Sequence, residues 1–440
     1  MRSSLLTLAT LFLLLPPAQS QQSTDPALGS WRRNLDGNTG KSTDPTIDSV
    51  VSHIQADVQG VLFTGGHAYV EASGLPAHFV GPWTGNPGVP GDQEAVYRIP
   101  RSPVEETGPK TATPLGTMGV LVNGVAIFNT QDAASWHDMG IWNQNAIYWE
   151  GSTMDTGFGH PAGDLYHYHQ SPTLLVQSEG ENGTDHSPIL GFAFDGFPIY
   201  GAYAFAGTDG GGGVVRMEPS YRLRNIGLRN SLPDGTMLPP PQWGPDVSSD
   251  YPLGAYIEDY EYVAGLGHLD EHNGRTCVTP EYPGGTYAYF AVLDESGVAV
   301  YPYFLGPTYY GVVDTENLTS GSPQVSVPAS ATDYAPFSLY EHDIELGSLG
   351  TLALGDADPG AMLFFAYTFV GLGPTTTAFG DLGMSPPFLL LGPFFANGQG
   401  SMSLSVGIPA PLAGLTVYSQ AVTASAGQVV LSNSERVYLQ

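Results

Sequence analysis

One run in this chain has a spacing that suggests chemistry by itself: Tyr166-His167-Tyr168-His169. On an extended strand, residues two apart share a face. His167 and His169 therefore point together, and Tyr166 and Tyr168 point the other way. Two imidazoles on one face can chelate Zn²⁺ or Cu²⁺, with a separation set by the backbone and not by long flexible stems. His160 precedes them across Pro161 and Gly163, residues that can fold the chain back, and His186 follows in Asp185-His186-Ser187-Pro188. A later stretch, Gly267-His268-Leu269-Asp270-Glu271-His272-Asn273-Gly274-Arg275, offers two more imidazoles with two carboxylates between them. The expectation is a copper or zinc site between the Tyr166–His169 strand and the Asp270–His272 segment, with His160, His167, His169, His186, His268 and His272 as candidate ligands. The plainer alternative is a set of imidazoles hydrogen-bonded in a polar cleft, with the tyrosines packed behind.

Other polar residues fall into roles around such a site. Asp270 or Glu271 could complete the ligand set or act as general base toward metal-bound water. Cys277, the sole cysteine, excludes an intrachain disulfide. It reads as a buried thiol or as the partner of His272 in a thiolate–imidazole pair. Asp195 precedes Gly196 and fits an Asx turn, or else supports a ligating imidazole by hydrogen bonding. Tyr166, Tyr168 and Glu281 are candidates for the same supporting layer, and Arg275 for meeting an anionic substrate group. Familiar patterns do not apply. No Glu stands soon after His169 as a cupin requires, and no His-Glu-x-x-His, Gly-x-Ser-x-Gly or closely spaced Cys–His loop occurs.

The elements that must position these residues are short. The chain holds 57 glycines and 37 prolines spread throughout, and between them lie runs such as Gly119-Val120-Leu121-Val122, Ala126-Ile127-Phe128 and Thr286-Tyr287-Ala288-Tyr289-Phe290. Apolar runs bounded by turn residues read as strands. The expected fold is mainly β: an irregular, loop-rich domain followed by a smaller C-terminal domain of β-sandwich type. A short helix is expected near Ala133 to Trp136. Ten of the eleven histidines precede residue 321, and composition then shifts to Gly, Leu, Ala, Ser and Thr. The expected division is a signal peptide over 1–20, an N-terminal segment over 21–57, the histidine-rich domain over 58–320, a linker over 321–340 and the C-terminal β-domain over 341–440.

The signal peptide is read from Arg2, the apolar run Leu5 to Leu15, and Ala18-Gln19-Ser20 before a cut ahead of Gln21. The run is too short to span a bilayer, so the expected location is secreted or extracytoplasmic, with no transmembrane segment. With 42 acidic against 13 basic residues and a net charge of −29, the chain repels phosphate backbones, and nucleic acid is not an expected partner. A metal ion and an extracellular ligand or substrate are. The rival reading is a non-catalytic module that binds glycans or proteins on an aromatic-rich β surface.

Several separated blocks together resemble the YHYH-domain family. The first is Gly159-His160-Pro161-Ala162-Gly163-Asp164-Leu165-Tyr166-His167-Tyr168-His169. Next come His186-Ser187-Pro188 with Gly191-Phe192-Ala193-Phe194-Asp195-Gly196-Phe197-Pro198-Ile199-Tyr200-Gly201. Leu269 to Arg275 with Thr279-Pro280-Glu281-Tyr282-Pro283 form the third. Val122-Asn123-Gly124-Val125 and Trp142-Asn143-Gln144-Asn145-Ala146 match upstream. The resemblance covers roughly 58–311 and is to a family named for a motif, not for a reaction. Family members often carry a second histidine-bearing tyrosine block; here that place reads Tyr287-Ala288-Tyr289-Phe290, so the resemblance rests the site on the first block and the Asp270–His272 segment. The last hundred residues are similar to a C-terminal β-domain seen on many secreted bacterial proteins, through Ile408-Pro409, Gly414-Leu415, Tyr418-Ser419-Gln420 and Leu431-Ser432-Asn433.

Overall fold

The short runs pair as strands, and the protein is mainly β with long connecting loops. The computed structural model describes residues 19–20, 25–319, 321–377, 380–425 and 428–440. The apolar run Leu5–Leu15 and the cleavage site's downstream side lie outside them. Two compact units are formed. One comprises Thr39–Val176 and Gly183–Thr332; the other comprises 25–38, Gln177–Asn182 and Asp333–Gln440.

The first unit is organised by an eight-stranded sheet. Its strands in chain order are β1 (Thr117–Leu121), β2 (Ala126–Phe128), β3 (Gly159–Ala162), β4 (Leu165–Tyr168), β5 (Ile189–Ala193), β6 (Pro198–Tyr200), β7 (Gly274–Cys277) and β8 (Thr286–Phe290). Across the sheet the order is β7-β8-β6-β5-β1-β2-β4-β3. Every residue of central strands β1 and β5 is buried, because both faces of the sheet are covered, and this accounts for their near-continuous apolar sequences. Burying each large aliphatic or aromatic side chain there contributes about 1.5–3 kcal/mol. The tight turns carry the residues they need. Gly124 and Gly196 link β1 to β2 and β5 to β6, and Gly163 links β3 to β4, all with positive φ. Strands Val58–Phe63, His67–Ala72 and Ala95–Pro100 form an antiparallel meander in the same unit.

Helix α1 (Ala146–Glu150) starts at Asn145, whose side chain accepts the Ile147 N–H at 3.1 Å and satisfies one of the first-turn donors. Trp142, Ala255 and Tyr256 form a buried cluster against which Trp149 packs, so the last turn of α1 is pinned. The expected helix near Ala133 is absent. Gln131–Ser135 is instead a strand paired antiparallel with Asn143–Asn145, and Trp136–Asp138 after it is a tight turn in which His137 and Asp138 both have positive φ. Cross-strand pairing overrides the weak helical preference of that stretch.

Among its described residues the second unit has two larger sheets, and Leu372–Thr377 pairs with Gly380–Met384 as a separate two-stranded ribbon. β9 (Ser338–His342), β10 (Leu349–Gly355) and β13 (Met402–Gly407) make the smaller one. β11 (Met362–Thr368), β12 (Leu389–Phe395), β14 (Thr416–Ser425) and β15 (Gln428–Tyr438) make the larger, with Gln19–Ser20 paired beside Val430–Leu431. Leu339, Leu352, Leu354, Leu363, Phe365 and Ala421 form a shared core, as expected when alternating strand residues from two sheets face inward. Among the described residues no helix is long and apolar enough to cross a membrane.

Candidate metal centre

Strand register, not sequence spacing, builds the centre. β3 and β4 form a hairpin in which His160 lies directly opposite His167. His169, one residue past the end of β4, shares the face of His167. The three rings therefore meet, with centroids 4.7–5.4 Å apart. One ligand nitrogen from each lies within 4.8 Å of the others, and all three residues are buried.

Hydrogen bonds set which nitrogen each ring presents. His167 Nδ1 lies 3.1 Å from the Leu165 carbonyl, and His169 Nδ1 lies 2.7 Å from the Asn129 carbonyl. A carbonyl only accepts, so each Nδ1 carries the proton. His160 Nδ1 lies 2.8 Å from Thr153 Oγ1. That hydroxyl spends its own proton on the Glu150 carbonyl at 2.8 Å, so it too accepts from the imidazole. All three Nε2 atoms are thereby left as lone-pair donors. The Nε2 atoms of His167 and His169 are 3.0 Å apart with no proton between them in this arrangement. Two lone pairs facing each other in a buried site are placed so that they could hold a cation.

The rings are held neutral. Burial lowers His160 to about 4 and His169 to about 3, and carries His167 well below the usual imidazole range, with His169 and His160 adding to the fall. Neutral imidazole is the metal-ligating form. Phe128 stacks on His167 with centroids 3.9 Å apart, and the rings open into a cavity of about 180 Å³ lined also by Asn129, Gln131, Asp132 and Glu150. Glu150 Oε2 stands 3.7 Å from His160 Nε2 and 3.5 Å from His169 Nε2. Burial, with Asp132 nearby, pushes its carboxyl up to about 7.

The signature tyrosines face away, as strand alternation requires. The Tyr166 hydroxyl donates to Asp155 at 2.8 Å, and the Tyr168 hydroxyl pairs with His78 at 2.8 Å. The other candidates are not brought to the triad. β7 and β8 occupy the edge of the sheet opposite β3 and β4, so His272 and its neighbours are separated from His167 by the whole row of strands. His272 Nδ1 instead meets Thr308 Oγ1 at 2.8 Å. His268 Nδ1 accepts the Glu218 N–H, and His186 Nδ1 meets the Ser187 carbonyl at 2.8 Å. Asp270 accepts from His272 N, Gly274 N and the Tyr287 hydroxyl, Glu281 accepts from the Tyr200 hydroxyl, and Glu271 is exposed. Asp195 forms the Asx turn to Phe197 N and accepts from Tyr289 and Gly311. The Arg275 guanidinium donates to the carbonyls of Phe205 and Ala206. Cys277 is buried, and burial raises its thiol against the opposing pull of Arg275.

Sequence reading did not find Glu150, Thr153 or Asn129. Glu150 ends a short helix and Thr153 sits in the turn after it, with no motif to mark either. Asn129 acts through its backbone carbonyl, which no residue type reveals.

The fold and the centre together define a loop-rich β domain built around a buried histidine triad. Residues 96–300 match the family model described as YHYH protein, and the kinship read from the sequence blocks is shown for that segment. The match contains all three triad residues. It does not reach the C-terminal strands. No curated protein matches the chain.

Proposed function

We propose that the YHYH domain binds a transition-metal ion, zinc or copper, through Nε2 of His160, His167 and His169, in a protein exported from the cytoplasm. The observation that carries the reading is the convergence of three buried Nε2 lone pairs, each fixed by an acceptor behind the ring. The donor set fits the group. With metal–ligand bonds of about 2.0–2.1 Å, the edge of a tetrahedral site is about 3.3 Å. The His167–His169 contact of 3.0 Å and the Glu150 contacts of 3.5 and 3.7 Å lie near that length, and the three histidine donors fall within 4.8 Å of one another. The three imidazoles would hold the ion, and Glu150, beside two of their Nε2 atoms, would be the carboxylate at hand as a further ligand or proton acceptor. A metal in that position supplies Lewis acidity. His272, His186, His268, Asp270, Glu271 and Cys277 play no part in this reading.

The test is elemental analysis of protein purified without a histidine tag, together with melting in the presence of chelator. The native protein is expected to carry zinc or copper and to melt lower with chelator, and His167→Ala and His169→Ala to lose the metal. Metal-free native protein whose melting ignores both chelator and added metal would sink the proposal and favour the glycan- or protein-binding alternative.

A further inference from the structure

The strand order β7-β8-β6-β5-β1-β2-β4-β3 reads as two equivalent halves placed back to back. β1 and β5 pair antiparallel at the centre, with Gly191 opposite Leu121, Phe192 opposite Val120 and Ala193 opposite Gly119. A shift of 72 residues carries β1 onto β5 and β2 onto β6 with identical bounds. The same shift exchanges the flanking bonds, Val122 N to Leu190 O and Phe194 N to Met118 O. It also carries the turn Asn123-Gly124 onto Asp195-Gly196, whose side chains accept from Val125 N and Phe197 N respectively.

The outer hairpins repeat as well. In one, Tyr168 lies opposite Gly159 and His167 opposite His160; in the other, Tyr289 lies opposite Gly274 and Ala288 opposite Arg275. Parallel pairing to the inner hairpins matches too, Tyr168 beside Ile127 and Tyr289 beside Ile199. Ahead of each hairpin stands an aspartate. Asp155 accepts from Gly157 N, Gly159 N and the Tyr166 hydroxyl. Asp270 accepts from His272 N, Gly274 N and the Tyr287 hydroxyl. The residue before each glycine, Phe158 or Asn273, has φ +66°. A Cβ on Gly159 would meet the Tyr166 hydroxyl at 2.2 Å, and one on Gly274 the Tyr287 hydroxyl at 2.3 Å.

We infer that the domain is an internal two-fold repeat carrying a single metal pocket, and that the tyrosines of its signature belong to the frame common to both halves. The second clause stands without the metal reading; the first rests on it. What the halves share holds the fold: the aspartates, the glycines, and Tyr166 and Tyr168 with their counterparts Tyr287 and Tyr289. What differs is the pocket. At the positions of His160, His167 and His169 the second half has Arg275, Ala288 and Phe290. The Arg275 side chain is buried, lies 5.8 Å over the Phe290 ring and donates to two carbonyls. A fixed guanidinium and a phenyl ring thus fill the place where the first half gathers three lone pairs.

The experiment measures bound Zn²⁺ per chain after equilibrium dialysis. The native protein is expected to hold one equivalent, lost in His167→Ala/His169→Ala. The triple variant Arg275→His/Ala288→His/Phe290→His is expected to hold a second. A folded triple variant that still holds one, or native protein that holds two and keeps one after losing His167 and His169, overturns the single-pocket inference; native protein holding none sinks the metal reading instead. Tyr166→Phe and Tyr287→Phe decide the frame even if the triple variant does not fold. Each should lower the melting temperature by a similar amount and leave zinc stoichiometry unchanged. A Tyr166→Phe variant that melts like the native protein but no longer takes up zinc would refute the assignment of the tyrosines.

Discussion

Thr153→Val tests the centre without touching a ligand. The hydroxyl of Thr153 accepts the His160 Nδ1 proton and donates to the Glu150 carbonyl, each at 2.8 Å. Valine keeps the shape and removes both bonds. Leaving the His160 N–H buried without its acceptor costs about 1–3 kcal/mol of metal-free stability. Freed of that anchor, His160 no longer presents Nε2 in a fixed direction, and losses of such supporting partners lower metal affinity about 10–100-fold. At zinc concentrations near 100 times the native dissociation constant, binding adds about 2.7 kcal/mol to the native protein. The same concentration adds about 1.4 kcal/mol to a variant weakened tenfold and about 0.4 to one weakened a hundredfold. Melting with and without zinc reads these increments as shifts of about 1–2 °C per kcal/mol for a unit of this size. A variant that loses stability yet keeps the full zinc increment would show that His160 is a structural histidine and not a ligand.

Three further outcomes follow from the same geometry. His160 is lowered to about 4 and His169 to about 3 by burial, both below the ~6.5 of an unfolded imidazole. The unfolded chain therefore takes up protons first, so this stability is complete above pH ~6.5 and is lost as pH falls toward 4, with His160 alone accounting for about 3 kcal/mol; a urea midpoint of metal-free protein that stays flat between pH 6.5 and 4 would contradict it. Glu150, raised to about 7 by burial, disfavours the fold once ionised, so Glu150→Gln should melt higher than native without metal at pH 8 yet bind zinc more weakly, and a variant matching native on both counts would remove Glu150 from the site. N-terminal sequencing of exported protein should begin at or near Gln21, and material retaining Leu5 to Leu15 would rule out cleavage of a signal peptide.

Sequence alone determined what depends on local geometry and composition. Glycine and proline spread through the chain limit element length, and most of the short apolar runs between them pair as strands. The two-residue period of a strand put His167 and His169 on one face and the tyrosines on the other, whatever sheet they joined. The Asp195-Gly196 turn was legible for the same reason, since an Asx turn is closed within a few residues.

Tertiary structure decided everything that depends on which strands become neighbours. His160 joins the triad because hairpin register sets it opposite His167, while His272 is excluded because its strand lies at the far edge of the sheet. Both histidines were candidate ligands in the sequence, and the expected site was framed on the segment of His272. Thr153, Glu150 and the Asn129 carbonyl reach the centre from separate loops and a helix end, through contacts that no periodicity encodes. Long-range pairing is chosen by the packing of the whole sheet, and a linear pattern carries only the face each side chain takes once that choice is made.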